Sequence, residues 1–483
     1  MSATVLVLLV YLVILVALTA WSSKETHSLS GYFMAGKKLP FWVVAFSANA
    51  TGESVWLLLG LTGFGYLYGV QTYWIVVGEI IGLTLSWLLI SRRLKALGDE
   101  TDSITVPDVL AAKFEDRWHL IRGIAVVIIL LMVTTYVTAQ MVGAGKAFDG
   151  FIDGVDYRTG VVLGAVIIIG YTFVGGYKAV SYTDVVQGVL MLGALIVVPI
   201  VAIDAAGGMD GMTESLRQQD PALLDMLAPT EKGVEGWIFI ISFAAIGLPF
   251  LGVPQMLIRY MSARDDAEVK KARVLSLVVM FLFLFGAVTA GVAGRALMPG
   301  LEDHDLIFPM LANELFPPLI TGILFVCVLS AIMSTVDSLL LLASSAVVRD
   351  TMQKILGSQR PDRELANLGK FVTIVIGLLA VAFAIPEAKF IFWFVLFSWS
   401  GLGAAFGPPL ILLLHYKKTT ADGVVAGMLG GFLTSVIWVM FFKKATFGLY
   451  EAVPGFAVGF LLTWLVSRMT WKPADTESAV AGS

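Results

Sequence analysis

Apolar stretches long enough to cross a bilayer recur along nearly the whole of this 483-residue chain, and that recurrence limits its fold more than any other feature. A helix spanning the hydrocarbon core needs about 20 apolar residues, and in lipid a helix satisfies every backbone polar group within its own segment. About 13 segments approach that length: residues 3–21, 41–66, 70–91, 120–147, 160–178, 183–206, 235–259, 273–297, 317–348, 368–386, 388–415, 421–442 and 448–468. Ala179–Tyr182 is read as the break between the fifth and sixth, and Pro386 as the break between 368–386 and 388–415. With 58% hydrophobic and 14% charged residues, the chain is expected to be an all-α polytopic membrane protein rather than a soluble enzyme.

The loops suggest an orientation. Arg92, Arg93, Lys95, Lys113 and Arg117 crowd one connection, Arg264, Lys270, Lys271 and Arg273 a second, and Arg349, Lys354, Arg360 and Arg363 a third. The loops at 148–158, 207–234 and 298–316 are acidic or weakly charged. Basic loops stay in the cytoplasm, so the amino terminus is expected outside and the tail 469–483 inside, which an odd number of spans requires. The first apolar segment has no basic leader and no small-residue cleavage site, and it is expected to be a retained helix rather than a secretory signal. A single cysteine, Cys327, excludes an internal disulfide, and the four histidines fall near helix ends or in loops. No catalytic constellation, nucleic-acid partner or obligate protein partner is implied, and the expected surroundings are lipid of the plasma (inner) membrane.

Polar residues inside the apolar spans carry the functional signal. Ala331, Ser334, Thr335 and Ser338 follow a spacing of 3, 4 and 7 and so share one helix face, with Asp337 around the corner. Hydroxyls at that depth also glue helices together, but a carboxylate beside them favours an ion site. In Ala45–Gly60, a run of Ser47, Asn49, Thr51, Gly52, Glu53 and Ser54 predicts an interrupted helix lining a cavity. Gly247-Leu-Pro-Phe-Leu-Gly-Val-Pro254 predicts a second interruption. The two breaks are about five spans apart, as inverted repeats would place them, and paired broken helices point to a transport site.

Asp184, Glu53, Glu79 and Asp337 also lie within spans, where an unpaired carboxylate costs about 2.5–3.5 kcal/mol. No lysine or arginine is placed within these same spans, so Na+ or a proton is the expected partner. Glu79 is assigned a packing role as a protonated acid, and Asp184 also fits a helix N-cap.

Several blocks in the right order resemble one family. Gly252-Val-Pro-Gln-Met-Leu-Ile-Arg-Tyr-Met261, Ala331-Ile-Met-Ser-Thr335, Trp399-Ser-Gly-Leu-Gly-Ala-Ala-Phe-Gly-Pro408 and Gly448-Leu-Tyr-Glu-Ala-Val-Pro-Gly-Phe456 are similar to blocks of the sodium:solute symporters, most of all the sodium/proline branch. The resemblance implies a leucine-transporter-like fold of 13 helices in one transporter domain. Its parts would be an extra helix at 3–21, a first inverted repeat at 41–206, a second at 235–415, and two further helices at 421–468.

The resemblance also implies a main Na+ site formed by the carbonyls of Ala50, Glu53 and Ala331 and the hydroxyls of Ser334 and Thr335. A second Na+ or proton site would involve Asp184, Ser334, Asp337 and Ser338, and a substrate pocket Ser54, Trp56, Tyr136, Phe250 and Pro254. The implied function is sodium-coupled import of a small organic solute, L-proline first, by alternating access.

Two departures bear on the solute. The branch carries Asp-Met-Ser-Gly-Trp where this chain reads Gly52-Glu-Ser-Val-Trp56, and Trp and Tyr where Ile246 and Phe250 stand. Another amino acid, a small carboxylate or proton coupling therefore stays open. A transporter-like sensor is the reading of another class, and the tail of about 15 residues after Arg468 leaves no room for a signalling module.

Overall fold

The computed structural model describes residues 3–22, 28–114, 116, 118–172, 176–386 and 391–472. Among these residues the secondary structure is helical, apart from an isolated bridge between Leu39 and Ala263. Eleven helices are long and apolar enough to cross a membrane, one of them the 60-residue run Phe41–Glu100, and Tyr157–Gly170 is a shorter apolar helix. The long run folds back on itself at Tyr68–Gly69, where Gly69 adopts φ 58° and ψ −138°. A β-carbon there would lie 2.2 Å from the Leu223 carbonyl oxygen, so the turn needs glycine on both conformational and steric grounds.

Burial sorts the helices into centre and rim. In Pro318–Ser345 every residue from Leu324 onward is buried, as expected of a helix apolar all round and enclosed by others. It packs against Ala3–Ser22, Phe41–Val55, Leu120–Phe151 and Tyr177–Ala205. Ala3–Ser22 instead leaves Val10, Val13 and Val16 exposed on an outward stripe suited to lipid. Polar caps fix several helix starts between spans: Thr105 accepts from the Asp108 N–H, Asp265 from Glu268, and Thr420 from Gly423.

One boundary differs from expectation. Ala179–Tyr182 lies inside the helix Tyr177–Ala205, which starts after the extended Gly176. Ala179, Val180 and Ser181 are buried within the helix, and the glycine that leaves helical backbone sets its start. Asp184 is consequently two turns into that helix and is not its N-cap. Span 235–259 is interrupted as expected, into Val234–Leu251 and Pro254–Ser262, with the separation at Gly252-Val253. Pro386 does follow the end of Asp362–Ala384, as its ring requires.

Ion networks close both ends of Leu120–Phe151. At one end Arg122 meets Asp108 at 2.5 Å and Asp350 at 3.0 Å, and Arg349 meets Asp108 at 2.9 Å. At the other, Lys146 meets Asp303 at 2.9 Å and Asp305 at 2.8 Å.

Candidate ion and solute site

The first broken helix is interrupted at Ser54, whose φ of 46° and ψ of −169° are non-helical. A positive φ at a residue with a β-carbon costs roughly 1–3 kcal/mol and persists only where the surroundings hold it. Here they do. The Val55 N–H donates to Gln140 Oε1 at 3.1 Å, and the Trp56 N–H donates to Ser54 Oγ at 3.2 Å. Two backbone donors freed by the break are thereby satisfied away from water. The second break runs as a tight turn of helix over Ala245–Leu251, then extended Val253, before Pro254 restarts the helix.

The predicted hydroxyl face meets the first break. Ser334 Oγ donates to the Ala50 carbonyl at 2.9 Å and lies 3.2 Å from that of Ala331. Three uncharged hard oxygens thus converge, as in unwound-helix sites that take Na+. Thr335 points one step further, donating to the Thr51 carbonyl at 3.2 Å rather than joining Ala50. The Glu53 side chain leads elsewhere, into a small cavity between the breaks.

That cavity is lined by Gly52, Glu53, Trp56, Glu79, Tyr136, Ile246, Phe250, Val395, Leu396 and Trp399. Of the predicted solute residues, Trp56, Tyr136 and Phe250 are on its wall. Ser54 and Pro254 are not; they shape the backbone breaks instead. Trp399 crosses Phe250 edge to face, with centroids 5.1 Å apart, and its indole N–H donates to the Ile246 carbonyl at 3.3 Å. A β-carbon at Gly52 would lie 3.1 Å from Met256 Sδ and 3.6 Å from Phe250, so these side chains fill the space a longer residue would take.

Glu79 is buried in a close helix contact, as its assigned packing role requires, and it also lines the cavity. A β-carbon at Gly78 or Gly82 would stand 2.0 Å or 1.9 Å from the Ala244 or Gly247 carbonyl. The two glycines let Tyr73–Leu85 lie backbone-to-backbone on the second break, and this contact brings Glu79 to the cavity beside Glu53.

The second ion cluster also differs from expectation, because an arginine stands in it. Arg259 Nη2 lies 3.3 Å from Asp184 Oδ2, both side chains being almost wholly buried. Arg259 also donates to Ser47 at 3.1 Å, Thr51 at 2.8 Å, the Gln255 carbonyl at 2.6 Å, and Ser338. Ser47 donates to Asp184 at 2.6 Å. Asp337 sits apart, one turn beyond Met333 on the face that meets Tyr11, with which it interacts electrostatically. Sequence reading placed Arg259 at the far edge of its span and so missed it as partner for an acid 75 residues earlier.

Paired helix breaks, a row of hydroxyls at one of them and a cavity between define an ion-coupled membrane transporter of alternating-access design. The chain belongs to the sodium:solute symporter family, whose model matches residues 32–431, and it is a multi-pass membrane protein. It is 36% identical over 457 residues to the high-affinity proline transporter PutP of Bacillus subtilis (strain 168), covering 94% of this chain and 95% of that one. Its identity to the osmoregulated proline transporter OpuE of the same strain is 33%, covering 98% and 96%. A sodium/proline symporter of Staphylococcus aureus is 35% identical, covering 97% and 93%.

Among solved structures, a Na+-coupled sialic acid symporter in a substrate-bound outward-open state superposes with a TM-score of 0.79 at 20% identity, over 97% of this chain and 98% of that one. MHP1, a nucleobase-cation-symport-1 family transporter in a closed conformation, gives 0.56 at 12%, over 94% and 98%. These likenesses bear on the fold alone.

Proposed function

We propose that this symporter imports L-proline together with Na+. The observation that carries the reading is the convergence of Ala50, Ala331 and Ser334 oxygens directly behind an aromatic-walled cavity. Near-full-length identity to three proline carriers supports the solute. Na+ among those oxygens would tie the first broken helix to the hydroxyl helix and so fix the cavity wall at Gly52–Trp56. Thr335 supports the site through the Thr51 carbonyl, and the Glu53 carbonyl completes the assigned set.

The architecture supports thirteen spans. A helical run of 60 residues would reach about 90 Å, three times the hydrocarbon core, so the folded-back Phe41–Glu100 counts as two, and Tyr157–Gly170 adds another. The proposed division is 3–21, repeats 41–206 and 235–415, and 421–468, with the amino terminus outside and residues 469–483 inside. The ion networks at Arg122 and Lys146, both formed in this structure, then lie at the cytoplasmic and external ends. Each inward charge gains about 2.3 kcal/mol per 100 mV.

The second cation position is already served by Arg259 in this arrangement. A Na+ at Asp184 and Ser338 would have to displace the guanidinium.

The test is labelled L-proline uptake into proteoliposomes under an inward Na+ gradient, set against an equal K+ gradient. Accumulation with Na+ alone supports the proposal. Equal uptake under both gradients would dismiss sodium coupling, and no uptake under either would dismiss proline.

A further inference from the structure

The helix Ala3–Ser22 lies ahead of both proposed repeats, yet it sends a polar group into the interior of the protein. Its buried residues, Thr4, Leu8, Tyr11, Leu15, Thr19 and Ser22, recur every three or four positions and form one inward face. That face runs along the hydroxyl helix Pro318–Ser345. A β-carbon at Gly322 would lie 2.9 Å from Thr4 Cα, so glycine there lets the two helices approach closely. About two turns further along the same contact stands the Tyr11 hydroxyl.

Tyr11 is buried, and three side chains meet at its phenol oxygen. It accepts from Ser330 Oγ at 3.0 Å and from Gln187 Nε2 at 3.0 Å, and it donates to Met333 Sδ at 3.8 Å. Ser330 and Met333 immediately precede Ala331 and Ser334, the two residues of this helix whose oxygens converge with the Ala50 carbonyl. Gln187 is one turn beyond Asp184 on Tyr177–Ala205. One hydroxyl thus joins the first helix, the Asp184 helix and the turn that carries the candidate ion site.

The geometry couples the two faces of that turn. Residues 330 and 333 are each one position, about 100° of rotation, from 331 and 334. Gripping the first pair therefore fixes where the second pair points. Without the phenol oxygen, Ser330 would turn to a carbonyl of its own helix, and the fully buried Gln187 amide would lose the acceptor it uses here.

We infer that Tyr11 is a positioning residue for the Na+ site: its hydroxyl sets the rotation of the hydroxyl helix at Ala331–Ser334 and so the affinity for the ion. The inference rests on the sodium reading and extends it to a helix that carries none of the assigned ligands. Groups that orient ligands from behind commonly govern metal affinity without touching the metal.

The experiment measures binding of radiolabelled Na+ to the purified protein by scintillation proximity in choline chloride, beside thermal unfolding without Na+. Tyr11→Phe should raise the Kd for Na+ about fivefold. Ser330→Ala should raise it too, and the double variant should go no further than the larger single change, because the two substitutions remove one shared bond. Leu15→Ala, on the same inward face, should lower the unfolding temperature and leave the Kd where it was.

An unchanged Kd in Tyr11→Phe, or an equal shift in Leu15→Ala, would overturn the inference. An unchanged Kd in Ser330→Ala would do the same, and that variant decides the matter if Tyr11→Phe fails to fold. Absence of saturable Na+ binding in the unaltered protein would overturn the sodium reading and this inference with it.

Discussion

The Arg259 guanidinium sits 3.3 Å from the Asp184 carboxylate in the interior of the protein, and the pair joins Pro254–Ser262 to Tyr177–Ala205. Ser47, Thr51 and Ser338 all bond to the same guanidinium, so the pair ties the second broken helix to the first and to the hydroxyl helix. A buried pair of this kind contributes little net stability when intact, but removing one member strands a charge.

Arg259→Gln should therefore lower stability by about 3–5 kcal/mol and abolish transport. Combining it with Asp184→Asn should cost less than the sum of the two single changes. Thermal unfolding of the four proteins in detergent supplies the comparison, and strictly additive losses would show that the contact is not coupled.

Gly82→Ala tests the contact that delivers Glu79 to the cavity. Its new methyl group would meet the Gly247 carbonyl at 1.9 Å, and neither backbone can yield without parting the helices. Overpacking of this kind costs about 1–3 kcal/mol. Solute uptake should fall much further than thermal stability does, because the displaced segment is the cavity wall. Unchanged uptake would mean that the two helices separate freely.

The network at Arg122 makes a pH prediction. Burial alone would raise the Asp108 carboxyl, but the Arg349 and Arg122 guanidiniums outweigh it and hold it below its ordinary value of 3.8. A carboxylate depressed on folding contributes stability that is complete above its unfolded pKa and is lost as pH falls through the folded one. In an Asp350→Asn background, which removes the neighbouring carboxyl on Arg122, the stability difference between Asp108 and Asp108→Asn should thus be constant from neutral pH to about 5, and shrink below about 4. A difference that instead grew on acidification would refute the assignment.

Much of this was legible in the sequence because it is local. A spacing of 3, 4 and 7 placed Ser334, Thr335 and Ser338 on one face, and Ser334 does meet the broken helix there. Tandem Gly and Pro at 247–254 marked the second break, and the polar run at 47–54 the first. What escaped depends on tertiary pairing. Gln140 looks like an ordinary amide within an apolar span, yet it satisfies the backbone donor freed at Val55. Glu79 reads as an isolated acid until Gly78 and Gly82 are seen against the second break. Arg259 at a span's end gives no sign of the acid it faces. Ala179–Tyr182 was misjudged because polar residues that line the protein interior look, along the chain, like a loop.

Na+ binding at Ser334 is tested most directly by the Na+ activation curve of L-proline uptake in proteoliposomes, measured for the unaltered protein and for Ser334→Ala. Removing the hydroxyl takes one of the three converging oxygens and leaves the Ala50 carbonyl without its donor. The Na+ concentration for half-maximal uptake should rise by at least ~10-fold, equivalent to about 1.4 kcal/mol of lost binding. Thr335→Ala should shift it less, since Thr335 bonds to the Thr51 carbonyl instead. An activation curve unchanged in Ser334→Ala, with uptake still dependent on Na+, would place the coupling ion somewhere else in the molecule.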